Sequence, residues 1–538
     1  MGGVNMGEIL EAVAVAQPEA SAQVQGERRT SWAEFERRSR GLARFLVGQG
    51  LERQDKVAQY LYNSPEYLES MAACVRASFV PVNTNYRYRE AELLYLWDNA
   101  DVVGVMFHGC FAERIEGLRG KLPKIRSWLC VDDGSGPFPE WAVPYEEAVG
   151  DDGELELEWE IDGDDLIIVY TGGTTGMPKG VMWRQDDYFS LVNRERPQGP
   201  YDPEGGFQGF VEKKRAEGPG RVMMPACPQM HALALMGSFT NLVNGGCVVT
   251  ACGRRFDAAE TLDLVEKEGV NQLSIVGDAF ARPLLEALDA EPLRWDLSSL
   301  LVVRSAGVMW SHEVKKGLLK HHPDMVLIDG LGSTEAPRIG RSESTGENAS
   351  TTAIFDLGET SAVFDDDLNP VEPGSGVVGR LAVGGAIPSG YYKDEAKTAA
   401  TFLVVDGVRY SVPGDYATVE ADGSVRLLGR GSVCINTGGE KVYPEEVEEV
   451  LKRHESILDA VCVGVPHERF GESIVALVEP SGSEEPSEAG VIEFVRALLA
   501  GYKAPHYVLT LDSIGRAPNG KVDYKGLRQI AVERLQAR

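Results

Sequence analysis

Up to about residue 400, segments with helical periodicity alternate with short apolar runs. Ser31 and Glu34 have the spacing of a capping box, and apolar residues follow them at helical period. The runs at 166–170, 247–250 and 300–303 are mostly apolar and short, which predicts strands. Such an alternation of helices and buried strands favours an α/β fold with largely parallel sheets.

The pattern changes near residue 428, where a smaller domain is predicted. Its elements are a helix, two strands and a second helix, at 444–454, 460–465, 474–478 and 491–499. This mixture favours an α+β unit, so we predict one domain over residues 1–429 and a second over residues 430–538. The polar stretch 196–221 is rich in glycine and proline, and it is interpreted as an inserted loop that could be mobile.

Size and charge exclude several classes of protein. A chain of 538 residues is too long for a single hydrophobic core. The formal net charge of −29 repels nucleic acid and anionic lipid, so neither is an expected partner. No run of about 18 apolar residues is present, and residues 1–10 lack the features of a signal peptide, so we expect no integral membrane segment and a cytoplasmic location. The eight cysteines form no CxxC pair, which argues against a zinc site.

The clearest candidate for chemistry is a loop rich in glycine and threonine that directly follows the apolar run at 166–170. Its glycines allow backbone N–H groups to surround an anion, and its threonine hydroxyls and lysine add donors and positive charge. The candidate anion-binding residues are Thr171, Gly172, Gly173, Thr174, Thr175, Gly176 and Lys179. The loop is not a Walker A motif, because Pro178 precedes the lysine and Gly180 follows it. A triphosphate is the ligand that such a loop suits.

This loop resembles the phosphate loop of the adenylate-forming superfamily, which includes acyl-CoA synthetases, luciferases and peptide-synthetase adenylation domains. Further motifs of that superfamily follow in its order, at 331–335, 411–415, 429–430 and 516–521. A closer similarity, to actinobacterial ligases for fatty acids and sterol side-chain acids, rests on segments 85–90, 177–183, 277–283 and 429–433. The resemblance implies a large N-terminal domain of stacked α/β sheets with a β-barrel-like subdomain, and a small mobile C-terminal domain.

The resemblance also implies roles for individual residues around the nucleotide. Asp415 would accept hydrogen bonds from the ribose hydroxyls, and Arg430 would hold the ribose and brace the domain junction. Thr334 would donate to the α-phosphate, and Glu335 would hold Mg²⁺, which prefers oxygen ligands. Lys521 would contact both the substrate carboxylate and the α-phosphate. The residues implied to frame the adenine are Ala306, Gly307, Asp329, Gly330 and Leu331.

Two further segments carry implied roles toward the acid and the thiol. His231 would lie beside the acyl pocket and gate the carboxylate, and Gly438 and Gly439 would line the channel for the pantetheine of CoA. The apolar candidates near the acyl pocket are Met223, Met224, Met230, Leu233, Met236, Phe280 and Val308. No basic residue belongs to this set, which favours a bulky hydrophobic monocarboxylate.

Three positions depart from the pattern of the family. Leu331 replaces an aromatic residue that often stacks on adenine, and Ser432 stands where an acidic hinge residue is common. Asp278 falls where an apolar pocket wall is common, and we interpret it as the N-cap of a helix.

The resemblance implies two half-reactions that need ATP, Mg²⁺ and CoA. The acid and ATP would give acyl-AMP and pyrophosphate, and the CoA thiol would then displace AMP to give acyl-CoA. The alternatives are an acyl-AMP ligase that loads a carrier protein, a luciferase-like oxygenase and a non-catalytic nucleotide-binding relative. The sequence does not decide the oligomeric state, and a homodimer is left open.

Overall fold

The structure is a computed structural model. It describes residues 3–150, 152–171, 177–194, 196, 198–308, 310–346, 348–430, 433–437, 440–467, 471–482, 485–499, 501–517, 520–536 and 538. The predicted site residues Gly172, Gly173, Thr174, Thr175, Gly176, Gly438 and Gly439, and the departure at Ser432, lie outside these residues.

Helices cover both faces of the sheets. The helices are α1 (Met6–Ala16), α2 (Trp32–Gly48), α3 (Pro65–Arg76), α4 (Glu90–Asn99), α5 (Ala112–Arg119), α6 (Tyr145–Ala148), α7 (Gln185–Arg194), α8 (Gly206–Glu217), α9 (Ala232–Val243), α10 (Ala258–Lys267), α11 (Asp278–Ala290), α12 (His312–His321), α13 (Glu395–Thr401), α14 (Pro444–Leu451), α15 (Glu488–Leu498) and α16 (Tyr524–Gln536). Short 3₁₀ turns lie at Gly109–Phe111, Pro203–Gly205 and Gly501–Lys503.

The strands form three sheets. They are β1 (Ser21–Gln25), β2 (Arg28–Ser31), β3 (Lys56–Tyr60), β4 (Val80–Asn83), β5 (Val102–His108), β6 (Ser127–Val131), β7 (Val143–Pro144), β8 (Leu166–Thr171), β9 (Lys179–Arg184), β10 (Val222–Pro225), β11 (Cys247–Thr250), β12 (Gln272–Ile275), β13 (Val302–Ala306), β14 (Val326–Leu331), β15 (Gly340–Thr345), β16 (Ile354–Leu357), β17 (Ser361–Phe364), β18 (Val378–Val383), β19 (Gly390–Tyr391), β20 (Phe402–Val405), β21 (Val408–Ser411), β22 (Asp415–Val419), β23 (Val425–Arg430), β24 (Ile435–Thr437), β25 (Glu440–Val442), β26 (Ile457–His467), β27 (Gly471–Pro480) and β28 (Tyr507–Thr510).

The two large sheets have parallel centres. In the first sheet the order β1-β11-β10-β12-β13-β14 is parallel, and an antiparallel extension begins at β15 and continues through β16, β23, β22, β18, β21 and β20. In the second sheet β8-β4-β3-β5-β6-β7 is parallel and β9 and β19 are antiparallel. Parallel strands joined by helices place loops from several strands at one sheet edge, which is where ligands bind in such folds.

The small sheet lies at the C-terminal end of the chain and is packed separately. Its order is β25-β24-β27-β26, with β28 parallel to β27. Its two faces are covered by α14 with α15 and by α16, each over its own apolar cluster. The predicted fold class, a large α/β domain followed by a small α+β domain, is confirmed by this architecture and by the structural neighbours described below. The exact boundary between residues 429 and 430 stays a prediction.

Local predictions from the sequence were mostly accurate. The Ser31 hydroxyl accepts a hydrogen bond from the Glu34 N–H at 3.2 Å and caps α2, as the spacing predicts. The stretch 196–221 was wrongly interpreted as loop only, because it contains the helix α8, which packs on α1. Asp278 is not the N-cap of α11; Gly277, with a φ of 52°, takes that place, and the Asp278 carboxylate accepts from the Ser311 N–H at 2.9 Å. Within the described residues, no helix has the length and apolar character needed to cross a membrane.

Candidate active site

One cavity brings most of the predicted site residues together. Its volume is about 1400 Å³, and it lies between the parallel part of the first sheet, helix α9 and the small domain. The predicted residues that line it are Thr171, His231, Ala306, Gly307, Asp329, Gly330, Leu331, Thr334, Glu335, Asp415 and Lys521. Residues of the small domain such as Arg516 and Tyr524 also line it. The cavity is therefore built by both domains.

His231 stands at the N-terminus of α9, where its extended backbone (φ −111°, ψ 146°) makes it the N-cap residue. Burial, together with the nearby positive charges of Lys521 and Arg87, lowers the pKa of His231 to about 3. The imidazole is therefore neutral near pH 7, with one ring nitrogen a donor and the other an acceptor, and the residue lines the cavity. Lys521 is therefore close enough to His231 for its charge to lower the pKa of the imidazole.

The loop that carries Lys521 is held by the small domain and rests against the large one. The Ala517 N–H donates to the Lys521 carbonyl at 2.9 Å, and Arg516 forms an ion pair with Asp459 on β26 at 2.9 Å. Gly520 has a φ of 71°, and a Cβ there would lie 2.9 Å from a methyl of Val308. A glycine at this position therefore allows the loop to approach the edge of the first sheet and to place the lysine in the cavity.

Aromatic side chains orient the segment that was predicted to meet the phosphates. The Trp183 ring N–H donates to the Thr334 carbonyl at 3.3 Å, and the Tyr391 hydroxyl donates to the Glu335 carboxylate at 2.9 Å. Lys179 does not line the cavity; its ammonium pairs with Asp394 at 2.7 Å and lies 5.8 Å from the Tyr391 ring centre. The role predicted for Lys179 in anion binding stays a prediction.

Glu335 fits the hard, oxygen-preferring Mg²⁺ ion that the sequence implied. Among the described residues no group of three or more His, Cys, Asp or Glu side chains is arranged to hold a metal. Mg²⁺ commonly binds one or two carboxylates and completes its shell with phosphate oxygens and water. A single half-buried carboxylate beside a nucleotide cavity therefore suits a metal that arrives with the nucleotide.

Among the residues predicted to frame the adenine, Asp329 is part of a buried ion pair. Its carboxylate accepts from Lys315 at 3.2 Å, and Lys315 also donates to the Ser350 hydroxyl at 3.1 Å. Burial raises the pKa of Asp329 to about 6, and the charge of Lys315 limits the rise. Ala306 on β13 and Gly330 on β14 are cross-strand neighbours. Leu331 is 8% exposed; it packs in the apolar core and also lines the cavity.

Asp415 opens β22 directly after Gly414, whose φ is 101°. It is in register with Arg430 on β23, so the predicted ribose ligand and the predicted junction residue are cross-strand neighbours. Asp415, the predicted ribose ligand, therefore lies beside β23, which is the last strand before the predicted small domain.

The acyl wall differs from the predicted set. Leu233, Met236 and Val308 line the cavity, whereas the other four candidates are buried elsewhere in the core; these are Met223, Met224, Met230 and Phe280. Sequence reasoning missed Arg304 on β13 and Arg221, which precedes β10, and both line the cavity. The predicted set of apolar candidates, which contained no basic residue, therefore did not include every side chain that lines this cavity.

The far end of the cavity is closed by the segment that was interpreted as a loop. Arg196 is buried there, pairs with Glu217 at the end of α8 at 2.6 Å and lies 3.5 Å above the ring of Tyr201. Its guanidinium also donates to the Asn244 side chain at 2.8 Å. Gln198 and Gly220, at the two ends of this segment, line the cavity. The segment thus contributes to the depth of the cavity.

Two protein-family models match the sequence of this chain. A family model described as "AMP-binding enzyme" matches residues 10–392, and the model "AMP-binding enzyme C-terminal domain" matches residues 446–521. The chain therefore belongs to the AMP-binding enzyme family.

Its curated relatives are named as CoA ligases. A protein of Mycobacterium marinum named medium/long-chain-fatty-acid–CoA/3-oxocholest-4-en-26-oate–CoA ligase is 38% identical over 98% of this chain and 96% of its own. The 3-oxocholest-4-en-26-oate–CoA ligase of Rhodococcus rhodochrous is 39% identical over 97% and 95%. The medium-chain acyl-CoA ligase Mig of Mycobacterium avium is 37% identical over 97% and 98%. The predicted similarity to actinobacterial ligases is confirmed.

Solved structures support the fold. The anthranilate CoA ligase AuaEII in complex with anthranoyl-AMP superposes with a TM-score of 0.84 at 19% identity, covering 100% of this chain and 99% of that one. ATP-bound MatB from Rhodopseudomonas palustris gives a TM-score of 0.80 at 23% identity, covering 98% and 99%.

Proposed function

We propose that this protein is an ATP-dependent acyl-CoA synthetase, which converts a hydrophobic carboxylic acid, ATP and CoA to acyl-CoA, AMP and pyrophosphate. The observation that carries the proposal is the shared cavity. Lys521 from the small domain and His231, Glu335 and Asp415 from the large domain all line it. A cationic lysine between two anionic reactants, beside acceptors for ribose and metal, is what adenylation of a carboxylate requires.

In the first half-reaction the carboxylate attacks the α-phosphorus of ATP, and pyrophosphate leaves. Two anions must approach, so a fixed positive charge is needed where they meet, and Lys521 supplies it. Neutral His231 adds no competing charge and can orient a carboxylate oxygen. Asp415 holds the ribose, and Thr334 donates to the α-phosphate. Mg²⁺, held by Glu335, would neutralise charge on the phosphates when bound.

The second half-reaction needs a different arrangement of the two domains. The thiol of CoA must reach the carbonyl carbon of the mixed anhydride, and in the first arrangement Lys521 occupies the space beside that group. We propose that the small domain, residues 430–538, turns on the large domain, residues 1–429, and withdraws the lysine loop from Val308. Gly438 and Gly439 would then line the pantetheine channel, with Arg430 at the junction. The same cavity can then serve both half-reactions, because the small domain presents a different one of its surfaces to the large domain in each step.

A bulky hydrophobic acid is the substrate class that the cavity and the relatives favour. The cavity of about 1400 Å³ exceeds the range of about 300–1,000 Å³ that is usual for small-molecule sites, although it must also hold the nucleotide. Leu233, Met236 and Val308 give part of it an apolar wall. The relatives that are 37–39% identical are named for medium and long fatty acids and for a cholestenoic acid.

A thioester-formation screen tests the proposal. Acetate, benzoate, octanoate, palmitate and a steroid side-chain acid are each incubated with the enzyme, ATP, Mg²⁺ and CoA, and acyl-CoA is quantified. We expect octanoate, palmitate or the steroid acid to give the highest kcat/KM. Pyrophosphate release without any thioester, for every acid, would favour instead an acyl-AMP ligase that serves a carrier protein. A clear preference for acetate would contradict the substrate class.

Assembly and location are predicted separately from the chemistry. We propose a homodimer that resides in the cytoplasm, with ATP, CoA and the acid as its small-molecule partners. Light scattering of the purified protein tests the first statement, and fractionation of the producing cell tests the second.

A further inference from the structure

A buried ion pair lies behind the cavity wall near the carboxyl end of β14. Asp329 lines the cavity and is 5% exposed, and its Oδ2 atom accepts from the Lys315 ammonium at 3.2 Å. Lys315 is buried on α12, where it also donates to the Ser350 hydroxyl at 3.1 Å and lies 5.7 Å from the Trp310 ring centre. A buried ion pair is often no more stabilising than packed apolar side chains, so stability alone does not account for this one.

The second carboxylate oxygen of Asp329 is available to a group in the cavity. Within the part of the chain that the structure describes, no hydrogen bond to the Oδ1 atom is found, whereas Lys315 holds Oδ2. The Lys315 side chain is 1% exposed and is not part of the cavity lining, so a bound group can meet Asp329 but not the lysine. An ionised carboxylate only accepts hydrogen bonds, whereas a protonated one also donates. The charge on Asp329 therefore decides which groups it can bind.

The cavity beside this oxygen has room for a flat group. Gly330 follows Asp329 on β14 and is the register partner of Ala306 on β13. Gly307 has a φ of 86°, and a Cβ built there would meet no atom of the described residues within 4 Å. These residues and Leu331 line the cavity, so backbone and apolar groups surround the acceptor. A planar ring with an N–H donor at its edge fits such a place, and the base of ATP is a ring of this kind.

The charged groups around Asp329 act on it in opposite directions. Burial raises the pKa of Asp329 to about 6, the charge of Lys315 limits the rise, and Asp278 at the start of α11 adds to it. Asp278 is itself paired with Arg282 at 3.3 Å. The other polar side chains on the elements around Asp329 are Ser305 on β13, Ser342 on β15 and His312 on α12. Lys315 is therefore the group that keeps Asp329 ionised near pH 7.

We propose that Lys315 is a positioning residue that holds Asp329 as a charged acceptor, so that the site selects a base with an exocyclic amino group over one with a carbonyl oxygen there. The lysine does not touch the nucleotide and acts through Asp329. The carboxylate accepts from the amino group of adenine, whereas it repels the oxygen of a 6-oxopurine. This inference rests on the proposed function, which supplies ATP as the nucleotide, and it adds the basis on which ATP is chosen.

Nucleotide binding without any acid tests the inference, because no turnover occurs. Calorimetry gives dissociation constants for the Mg²⁺ complexes of ATP, inosine triphosphate and purine riboside triphosphate, whose C6 atoms carry an amino group, an oxygen and a hydrogen. At pH 7.5 wild type should bind ATP about tenfold or more tightly than inosine triphosphate, as for a hydrogen bond to a charged group, with the purine nucleotide between them. The preference should shrink as pH falls through 6, because protonated Asp329 can donate to the oxygen. No preference at pH 7.5, or one that does not change with pH, would show the inference to be wrong.

Variants of α12 separate this role from a purely structural one. At pH 7.5 Lys315→Met should bring the dissociation constants for ATP and inosine triphosphate within about threefold of each other, and Lys315→Arg should keep most of the preference. Lys316→Met changes the exposed neighbouring lysine and should preserve the wild-type ratio. His312→Gln should leave the pH dependence of that ratio as in wild type, because Asp329 is the titrating group.

A lysine with a structural role alone would give a different result. Lys315→Met would then weaken all three nucleotides equally and leave their ratio unchanged, which would overturn the inference. The pH series on wild type decides the matter if this variant does not fold. Failure of the proposed function would appear instead as an absence of acyl-CoA from every acid, which leaves the binding ratios intact.

Discussion

Replacing Lys521 by alanine should separate the two half-reactions. The lysine lies in the cavity on a loop that belongs to the small domain, where Arg516 pairs with Asp459 at 2.9 Å. Gly520 in this turn lies close to the sheet edge, where a Cβ would approach a Val308 methyl to 2.9 Å. Alanine removes the ammonium and leaves the turn, so the fold should survive while the charge at the meeting point of carboxylate and α-phosphate is lost.

The expected size of the effect follows from the role of a fixed charge in a transition state. Removing one such electrostatic contact commonly costs about 10²–10³ in rate, or about 3–4 kcal/mol. Pyrophosphate release from acid and ATP should therefore fall by about that factor in Lys521→Ala. Thioester formation from supplied acyl-AMP and CoA should stay within a few-fold of wild type, because in the proposed mechanism the small domain withdraws the lysine before this step.

A matched control is available four residues further along the chain. Lys525 is exposed on α16 and does not line the cavity, so Lys525→Ala should affect neither half-reaction. If Lys521→Ala slows pyrophosphate release and thioester formation equally, with an unchanged melting temperature, the small domain does not rotate on the large domain between the two steps.

Three other predictions address the thiol channel, the adenine wall and the buried ion pair. Gly439→Leu should block thioester formation from acyl-AMP and spare pyrophosphate release; the reverse pattern would contradict the channel. Leu331→Tyr should leave ATP affinity unchanged or tighten it by about 0.5–1.5 kcal/mol through ring stacking, and a large loss measured by calorimetry would show that the position serves only the core. Lys315→Met leaves Asp329 unpaired. The folded pKa of Asp329, about 6, is above the unfolded value of about 3.9, so ionisation of Asp329 lowers stability as pH rises from about 4 to about 6, and the loss is constant at higher pH. Removing the charge of Lys315 raises the folded pKa of Asp329 further, which enlarges this loss at high pH. The variant should therefore lose more stability at pH 8, about 3–5 kcal/mol, than at pH 5, and equal losses in thermal melts at both values would contradict this.

The sequence motifs predicted which residues would meet in the cavity, although not what each does. Lys521 and His231 are far apart in the chain, yet both line one cavity: His231 stands at the start of α9, and Lys521 is on a loop of the small domain that comes close to Val308. The roles implied for them stay predictions. The loop of residues 172–176 was the clearest motif in the sequence, and its geometry lies outside the described residues.

Other features could not be deduced because they depend on which face of an element turns inward. Arg304 directly follows an apolar run and precedes Ser305, and only the structure shows that the arginine lines the cavity. Helix α8 was missed although Phe207, Phe210 and Val211 are at helical spacing, because the glycines and prolines that flank it suggested a loop. Gly277 displaced Asp278 as the N-cap because its positive φ is a conformation that glycine adopts at little cost.

The two ends of the segment 196–221, whose residues Gln198 and Gly220 line the cavity, lie close together. Arg196 at its start pairs with Glu217 near its end, and the Gly220 N–H returns to the Gly245 carbonyl at 2.9 Å. The free energy of closing a loop between fixed ends changes slowly with the number of residues inside it, by about 0.6 kcal/mol for each doubling. The number of residues between the two ends can therefore vary at little entropic cost, provided that the packing of α8 on α1 is kept. The depth of the pocket can thus change while the strands that carry the candidate site residues stay in place.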